Sequence, residues 1–140
     1  MGKEKTLSII KPDAVKRALA DKIIEKFKKE GFKILEKKEH QLTKEEAQYF
    51  YIEHKDKPFY QSLVNYMISG RVVLMVLERE NAIVKNREVM GATDPKKAAP
   101  GTIRAEFAIS VEQNSVHGSD SASSAAREIE FFFPHLISCC

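Results

Sequence analysis

The run Val72-Val73-Leu74-Met75-Val76-Leu77 constrains this chain more than any other stretch. Six consecutive apolar residues have the length of one β-strand and offer water no polar face, so the spacing predicts a strand buried on both sides. A strand of that kind needs strands beside it and helices over it. The flanking segments supply candidates. Lys5-Thr6-Leu7-Ser8-Ile9-Ile10 is β-branched and partly alternating, which predicts a first strand, ended by Lys11-Pro12-Asp13. Pro12 suits the first turn of a helix.

Between these two strands the apolar period changes. Ala20, Ile23, Ile24 and Phe27 recur at helical spacing, with Lys22, Glu25, Lys26, Lys28 and Lys29 on the opposite face, and Gly31 stops the run. Phe32 to about Leu42 reads as a second strand, with Phe32, Ile34 and alternate neighbours on one face. Thr43-Lys44-Glu45-Glu46 is a capping-box signature that opens a helix to about Glu53. After Pro58, the spacing of Phe59, Leu63 and Met67 predicts another amphipathic helix ending near Ser69-Gly70. Ala82 to about Met90 is a short helix stopped by Gly91. Gly91 to about Asn114 is irregular and long for a small domain, which points to function. Val116 sits in a last short strand, and Ser121 to Phe133 is a final helix closed by Pro134, with Ser119, Asp120 and Ser121 as candidate N-caps. The order lacks regular βα alternation. It predicts an α+β fold, a ferredoxin-like split βαβ with a four-stranded antiparallel sheet covered by helices.

Bulk properties narrow the classes. A chain of 140 residues, 43% hydrophobic and 31% charged, makes one domain with a charged surface. A net charge of +3 from 23 basic and 20 acidic residues fits a small anionic ligand in a local basic cleft and does not demand nucleic acid. No apolar run reaches the roughly 18 residues of a membrane span, and no signal peptide follows Met1-Gly2-Lys3-Glu4-Lys5. Gly2 gives a partial match to a myristoylation site. Cys139 and Cys140 are adjacent, which makes a mutual disulfide or a metal site a poor reading. The expected location is a reducing cytoplasm.

For chemistry, Asn114-Ser115-Val116-His117-Gly118-Ser119-Asp120 stands out. It combines an imidazole, suited to reaction at neutral pH, with a glycine turn and a helix start. No Walker A loop is present, so a phosphate site has to use side chains. Lys11 directly after the first strand and Arg87, Thr93 and Arg104 around the long loop are candidates, since guanidinium forks and hydroxyls suit phosphate oxygens. Spacing alone does not bring these four together. His40, His54, His117 and His135 are scattered without metal-ligand spacing; His40 and His54 read as surface residues, His135 as part of the terminal segment.

The His117 segment resembles the active-site signature of nucleoside diphosphate kinases. Ile10-Lys11-Pro12-Asp13-Ala14-Val15 resembles the first-strand motif of that family. Met90-Gly91-Ala92-Thr93-Asp94-Pro95 and Pro100-Gly101-Thr102-Ile103-Arg104 resemble its nucleotide loop, and Ala126-Arg127-Glu128-Ile129 with Phe131-Phe132-Phe133 its last helix. Ala18, Ala20 and Glu106 depart from common family residues and touch no proposed phosphate ligand.

The resemblance implies one nucleoside diphosphate kinase domain over residues 1–140. It implies transfer of a γ-phosphate from a nucleoside triphosphate to a diphosphate, by a ping-pong route through a phosphohistidine at His117. Glu128 matches the carboxylate that holds the partner nitrogen, and Ser119 the hydroxyl on that carboxylate. Lys11, Tyr51, Arg87, Thr93, Arg104 and Asn114 match the phosphate and sugar ligands. Phe59, with Leu63 and Val111 beside it, matches the base-stacking platform, and core packing is the competing role for Phe59. Mg2+ is expected to arrive on the phosphates with its waters, with Asp120 near that water shell. Tri- and diphosphate nucleotides and further copies of the chain, as tetramer or hexamer, are the implied partners. Two other functions stand beside this one: a catalytically silent nucleotide-binding interaction module, and a nucleic-acid-binding protein suggested by a pI of about 8.8. The lysines sit among glutamates on helix faces, which disfavours the latter.

Overall fold

The apolar run lies in the strand Val72–Arg79 (β3), and every residue from Val72 to Leu77 is at most 7% exposed. In this computed structural model, residues 3–110, 113 and 115–133 are described, without the side chain of Glu53. β3 pairs antiparallel on one side with Glu4–Ile10 (β1) and on the other with Lys33–His40 (β2). Val116–Gly118 (β4) adds to the far edge of β1, giving the order β2-β3-β1-β4. This is the expected four-stranded antiparallel, ferredoxin-like sheet.

Alternation divides the strand residues between two cores. On one face Leu7, Ile9, Leu74 and Val76 meet Phe50, Val64, Met67, Ile129 and Phe132. On the other Ile10, Met75, Leu77 and Val116 meet Ile23, Phe27, Ala82, Met90 and Ile103. Truncating one such residue to alanine costs about 2–5 kcal/mol, a large share of a small domain's stability. β2 departs from simple alternation. Ile34 packs on the second core and Leu35 on the first, but Ile34 pairs with Leu77 and Glu36 with the next residue, Val76, so a bulge between them shifts the alternation by one residue past Leu35.

Helices cover both faces. Pro12–Lys16 (α1) follows β1, with Pro12 in its first turn as expected. Ala20–Lys29 (α2) buries Ile23, Ile24 and Phe27. Lys44–Phe50 (α3) begins with the expected capping box: the Glu46 N–H donates to Thr43 Oγ1 at 3.1 Å, and the Thr43 N–H donates to the Glu46 carboxylate at 2.9 Å. The helix expected to run on to Glu53 stops at Phe50 and tightens into a 3₁₀ turn, Ile52–His54, as helix ends often do. Tyr60–Met67 (α4) and Ala82–Met90 (α5) flank β3 in sequence. The stretch expected to be irregular contains a 3₁₀ turn at Pro95–Lys97 and a helix, Ile103–Phe107 (α6), capped by Thr102. Five residues are too few for a 3.6-residue period to show in sequence. Ala122–Phe132 (α7) is capped by Ser121, which accepts from the Ser124 N–H at 3.1 Å. Pro134, expected to close it, lies outside the described residues.

Candidate active site

The position of His117 follows from strand register. His117 pairs with Ile9, and both point to the face covered by α3, α4 and α7. Its ring packs edge-on against Phe50 at 5.0 Å and near Tyr51 at 6.0 Å between centroids. Nε2 lies 3.4 Å from Glu128 Oε1 on α7. The same carboxylate oxygen accepts a hydrogen bond from Ser119 Oγ at 2.8 Å. Ser119 is fully buried and is itself fixed to β1: its Oγ accepts from the Leu7 N–H at 3.3 Å, and its N–H donates to the Leu7 carbonyl at 3.2 Å. Glu128 is therefore positioned before any ligand arrives, and with Nε2 turned toward it, Nδ1 is the ring nitrogen left for chemistry.

Gly118 continues β4 toward the other face. A Cβ there would fall 2.2 Å from Asn86 Nδ2 and 3.0 Å from the end of Met90, so α5 packs against bare backbone. That close approach sets α5, and with it Arg87, beside the histidine.

A cleft of about 540 Å³ opens at this point. Lys11, Arg87, Thr93, Arg104, His117 and Asp120 line it, with Phe59 and Leu63 at its apolar end. The four basic and hydroxyl candidates do converge. Lys11 sits at the end of β1, its N–H donating to the Ser115 carbonyl at 2.8 Å. Arg104 is 8% exposed; its guanidinium donates to the Gly91 carbonyl at 3.0 Å and to the Val116 carbonyl at 2.8 Å. Burial, with Arg87 nearby, lowers it to about 10, still protonated at neutral pH. Asp120 is held below the usual carboxylate range, mainly by a hydrogen bond from Ser124.

Tyr51 is 5% exposed, and its hydroxyl is buried without a hydrogen-bond partner among the described residues. Burial, then the Glu128 charge, pushes its phenol well above its ordinary value, so it stays protonated and able to donate. Phe59 is 48% exposed, which removes core packing as its role. Val111 and Asn114, the remaining expected ligands, lie outside the described residues, as do His135, Cys139 and Cys140.

One cleft residue was not legible in the sequence. His54, expected on the surface, lines the cleft with its ring 5.6 Å from Phe59 and 6.5 Å from Tyr51. Tyr51 and His54 are three residues apart around the 3₁₀ turn, where side chains at that spacing eclipse. The signal existed, but it needed the turn to be anticipated. His40 instead bonds the capping carboxylate of Glu46 at 3.0 Å, away from the cleft. Among the described residues there is no group of three or more His, Cys, Asp or Glu side chains placed to hold a metal, and no helix long and apolar enough to cross a membrane.

Comparisons with known proteins identify the family and the fold. The chain matches the family described as nucleoside diphosphate kinase over residues 4–137. It is 61% identical over 133 residues to a nucleoside diphosphate kinase of Gluconacetobacter diazotrophicus, covering 95% of each chain. A Campylobacter concisus nucleoside diphosphate kinase is 58% identical over 130 residues, covering 93% of this chain and 95% of its own. Among solved structures, the Aquifex aeolicus nucleoside diphosphate kinase superposes with a TM-score of 0.93 at 45% identity, covering 96% of this chain and 98% of that one. The Encephalitozoon cuniculi nucleoside diphosphate kinase gives 0.89 at 33% identity, covering 96% and 99%.

Proposed function

This chain belongs to the nucleoside diphosphate kinase family, and from that premise we propose that the His117 cleft is where it transfers phosphate between nucleotides. It is a phosphotransferase that moves a γ-phosphate from a nucleoside triphosphate to a nucleoside diphosphate. The observation that supports this site above others is a single one: an imidazole backed by an oriented carboxylate opens into the same cleft as Lys11, Arg87, Thr93 and Arg104.

Glu128 accepts a hydrogen bond from the Nε2–H of His117, which fixes the neutral tautomer whose lone pair is on Nδ1. Nδ1 attacks the γ-phosphorus, an N–P bond forms, and the bond to the diphosphate oxygen breaks. The diphosphate departs. The terminal oxygen of a second nucleoside diphosphate then attacks the phosphorus and His117 is released unchanged. Ser119 holds Glu128 through both half-reactions. Arg87 and Thr93 grip the β-phosphate, Arg104 meets the outer phosphates, and Tyr51 stands beside the transferred group. Lys11 and Asn114 serve the ribose 3′-hydroxyl and its neighbouring phosphates. These charges and donors stabilise the spread negative charge of the loose transition state, usually the largest catalytic contribution. Phe59, exposed in the cleft that Leu63 also lines, stacks on the base without reading its edges, so all bases are accepted, with Val111 as the further base contact the family resemblance implies.

Mg2+ fits this donor set as a phosphate-borne ion, because Asp120 is the carboxylate lining the cleft and a fuller ligand cage is lacking among the described residues. When bound it neutralises phosphate charge; Asp120 would meet it through water. Residues 1–140 act as one catalytic domain, in the cytoplasm, as a homo-oligomer of four or six copies.

Incubation with γ-labelled ATP should leave acid-labile phosphate on the protein, lost in His117→Ala and chased off by GDP, CDP or UDP. Absence of label on the parent protein would replace this reading with a silent nucleotide-binding module.

A further inference from the structure

Asp13 is buried next to the cleft and contributes no surface to it. Its side chain is 2% exposed, and it is absent from the residues lining the cleft. Its carboxylate nonetheless gathers donors from three directions. Tyr66 on α4 donates its hydroxyl to Oδ1, and the same hydroxyl accepts the Asp13 backbone N–H at 2.9 Å. Ser115 Oγ donates to Oδ2 at 3.1 Å. Arg17 Nη2 donates to Oδ2 at 3.1 Å, and its Nε donates to the Asp13 carbonyl at 3.1 Å.

Each of these partners leads to a different wall of the cleft. Tyr66 lies one helical turn beyond Leu63, on the helix that Phe59 caps. Ser115 immediately precedes β4 and stands two residues before His117; its carbonyl accepts the Lys11 N–H. It holds φ at +73°, a costly backbone for a side chain larger than glycine's, so its bonds to Asp13 and Lys11 help fix a conformation the segment does not favour. Arg17 Nη2 also donates to the carbonyl of Phe107, the last residue of α6, which carries Arg104. One carboxylate thus joins the Lys11 corner, the base platform, the strand of the nucleophile and the helix of the buried arginine.

We propose that Asp13 is a positioning residue for phosphotransfer, clamping these four walls in register without touching substrate. A carboxylate suits the task because it is purely an acceptor and all its side-chain partners are donors. An asparagine of the same shape must turn an NH2 toward at least one of them. This inference rests on the phosphotransfer reading of the cleft.

The test compares Asp13→Asn with the parent protein by rapid-quench measurement of His117 phosphorylation by ATP in a single turnover, alongside nucleotide affinity by titration. Misplacement of reacting groups by about 1 Å costs roughly 100-fold, so Asp13→Asn should slow phosphorylation by roughly 10- to 100-fold with affinity changed less than about threefold. A merely structural loss would lower the amplitude, through the folded fraction, and leave the rate constant alone. A rate constant within about twofold of the parent, or a slowing wholly matched by weaker affinity, overturns the proposal. Tyr66→Phe and Ser115→Ala each delete one donor and keep the test decisive if Asp13→Asn does not fold. Each should slow the step by about 3- to 10-fold, and the double variant by much less than the product, because both act on one carboxylate. Unchanged rates in both single variants overturn it. A parent protein that takes no phosphate onto His117 would defeat the functional reading itself, a result distinct from a phosphorylated parent with an equally fast Asp13→Asn.

Discussion

Adding one methyl group at Gly91 should disturb both stability and catalysis. Gly91 ends α5 at φ 89° and ψ 178°, a region that essentially only glycine enters. An alanine Cβ there would sit 2.5 Å from Thr102 Oγ1 and 2.7 Å from Thr102 Cβ. Thr102 has little freedom to retreat, since its Oγ1 donates to the Ala99 carbonyl at 2.7 Å and accepts the Ala105 N–H at 3.3 Å as the cap of α6. The backbone strain costs about 1–3 kcal/mol, and a displaced cap about 1 kcal/mol more. Gly91→Ala should therefore lose about 2–4 kcal/mol, which at a slope of about 2 kcal/mol per molar moves the urea midpoint down by roughly 1–2 M. Unfolding followed by far-UV circular dichroism at one fixed protein concentration measures this, since self-association would make the midpoint concentration-dependent. The Gly91 carbonyl also accepts from Arg104, so phosphotransfer should fall in the folded variant. Pairing Gly91→Ala with Thr102→Gly removes both contacts and keeps the backbone strain. The double variant should recover part of the clash cost and none of the strain. A midpoint shift for Gly91→Ala below about 0.3 M would refute the reasoning, because it would mean that the turn and the α6 cap yield freely.

Phe59→Ala should weaken ATP, GTP, CTP and UTP alike, by about 1–3 kcal/mol in titration; loss confined to purines would contradict base-tolerant stacking. Glu128→Ala should lower kcat by roughly 100- to 10,000-fold, the range typical of acid–base partners, with nucleotide affinity nearly intact; unchanged turnover would remove Glu128 as the orienter of His117. Arg104 carries its charge below about 10 and loses it as pH rises through that value, so kcat/KM should fall in that limb and the fall should be missing in Arg104→Gln. Asp120 is more acidic in the fold than unfolded, so its contribution to stability is present above its unfolded pKa and lost as pH falls through its lower folded value. Urea midpoints measured down an acid series should therefore decline more shallowly in Asp120→Asn.

What the sequence discloses and what it hides divide along physical lines. Features set by a few neighbouring residues are visible: the β3 run, the Thr43–Glu46 capping box, the Ser121 cap and the stop at Gly91 all depend on contacts within one turn or on alternation. The bulge between Ile34 and Glu36 is hidden because every residue of β2 after Leu35 is charged or histidine, so no apolar alternation marks the register past it. Short elements are hidden too, as with α6 and the 3₁₀ turn that carries His54 into the cleft. The candidate site behaves differently again. Its residue types could be read from motifs, but their meeting depends on contacts across most of the chain: Leu7 with Ser119, 112 residues apart, and Asp13 with Ser115, 102 apart. Loop-closure entropy opposes such contacts, so they persist where several share one anchor. Asp13, which in sequence merely ends a strand beside Pro12, is such an anchor, and its partners reach four walls of the cleft. The residues that do the chemistry were therefore easier to name than the residue that keeps them together, because reactivity is a property of a side-chain type and positioning is a property of its neighbours.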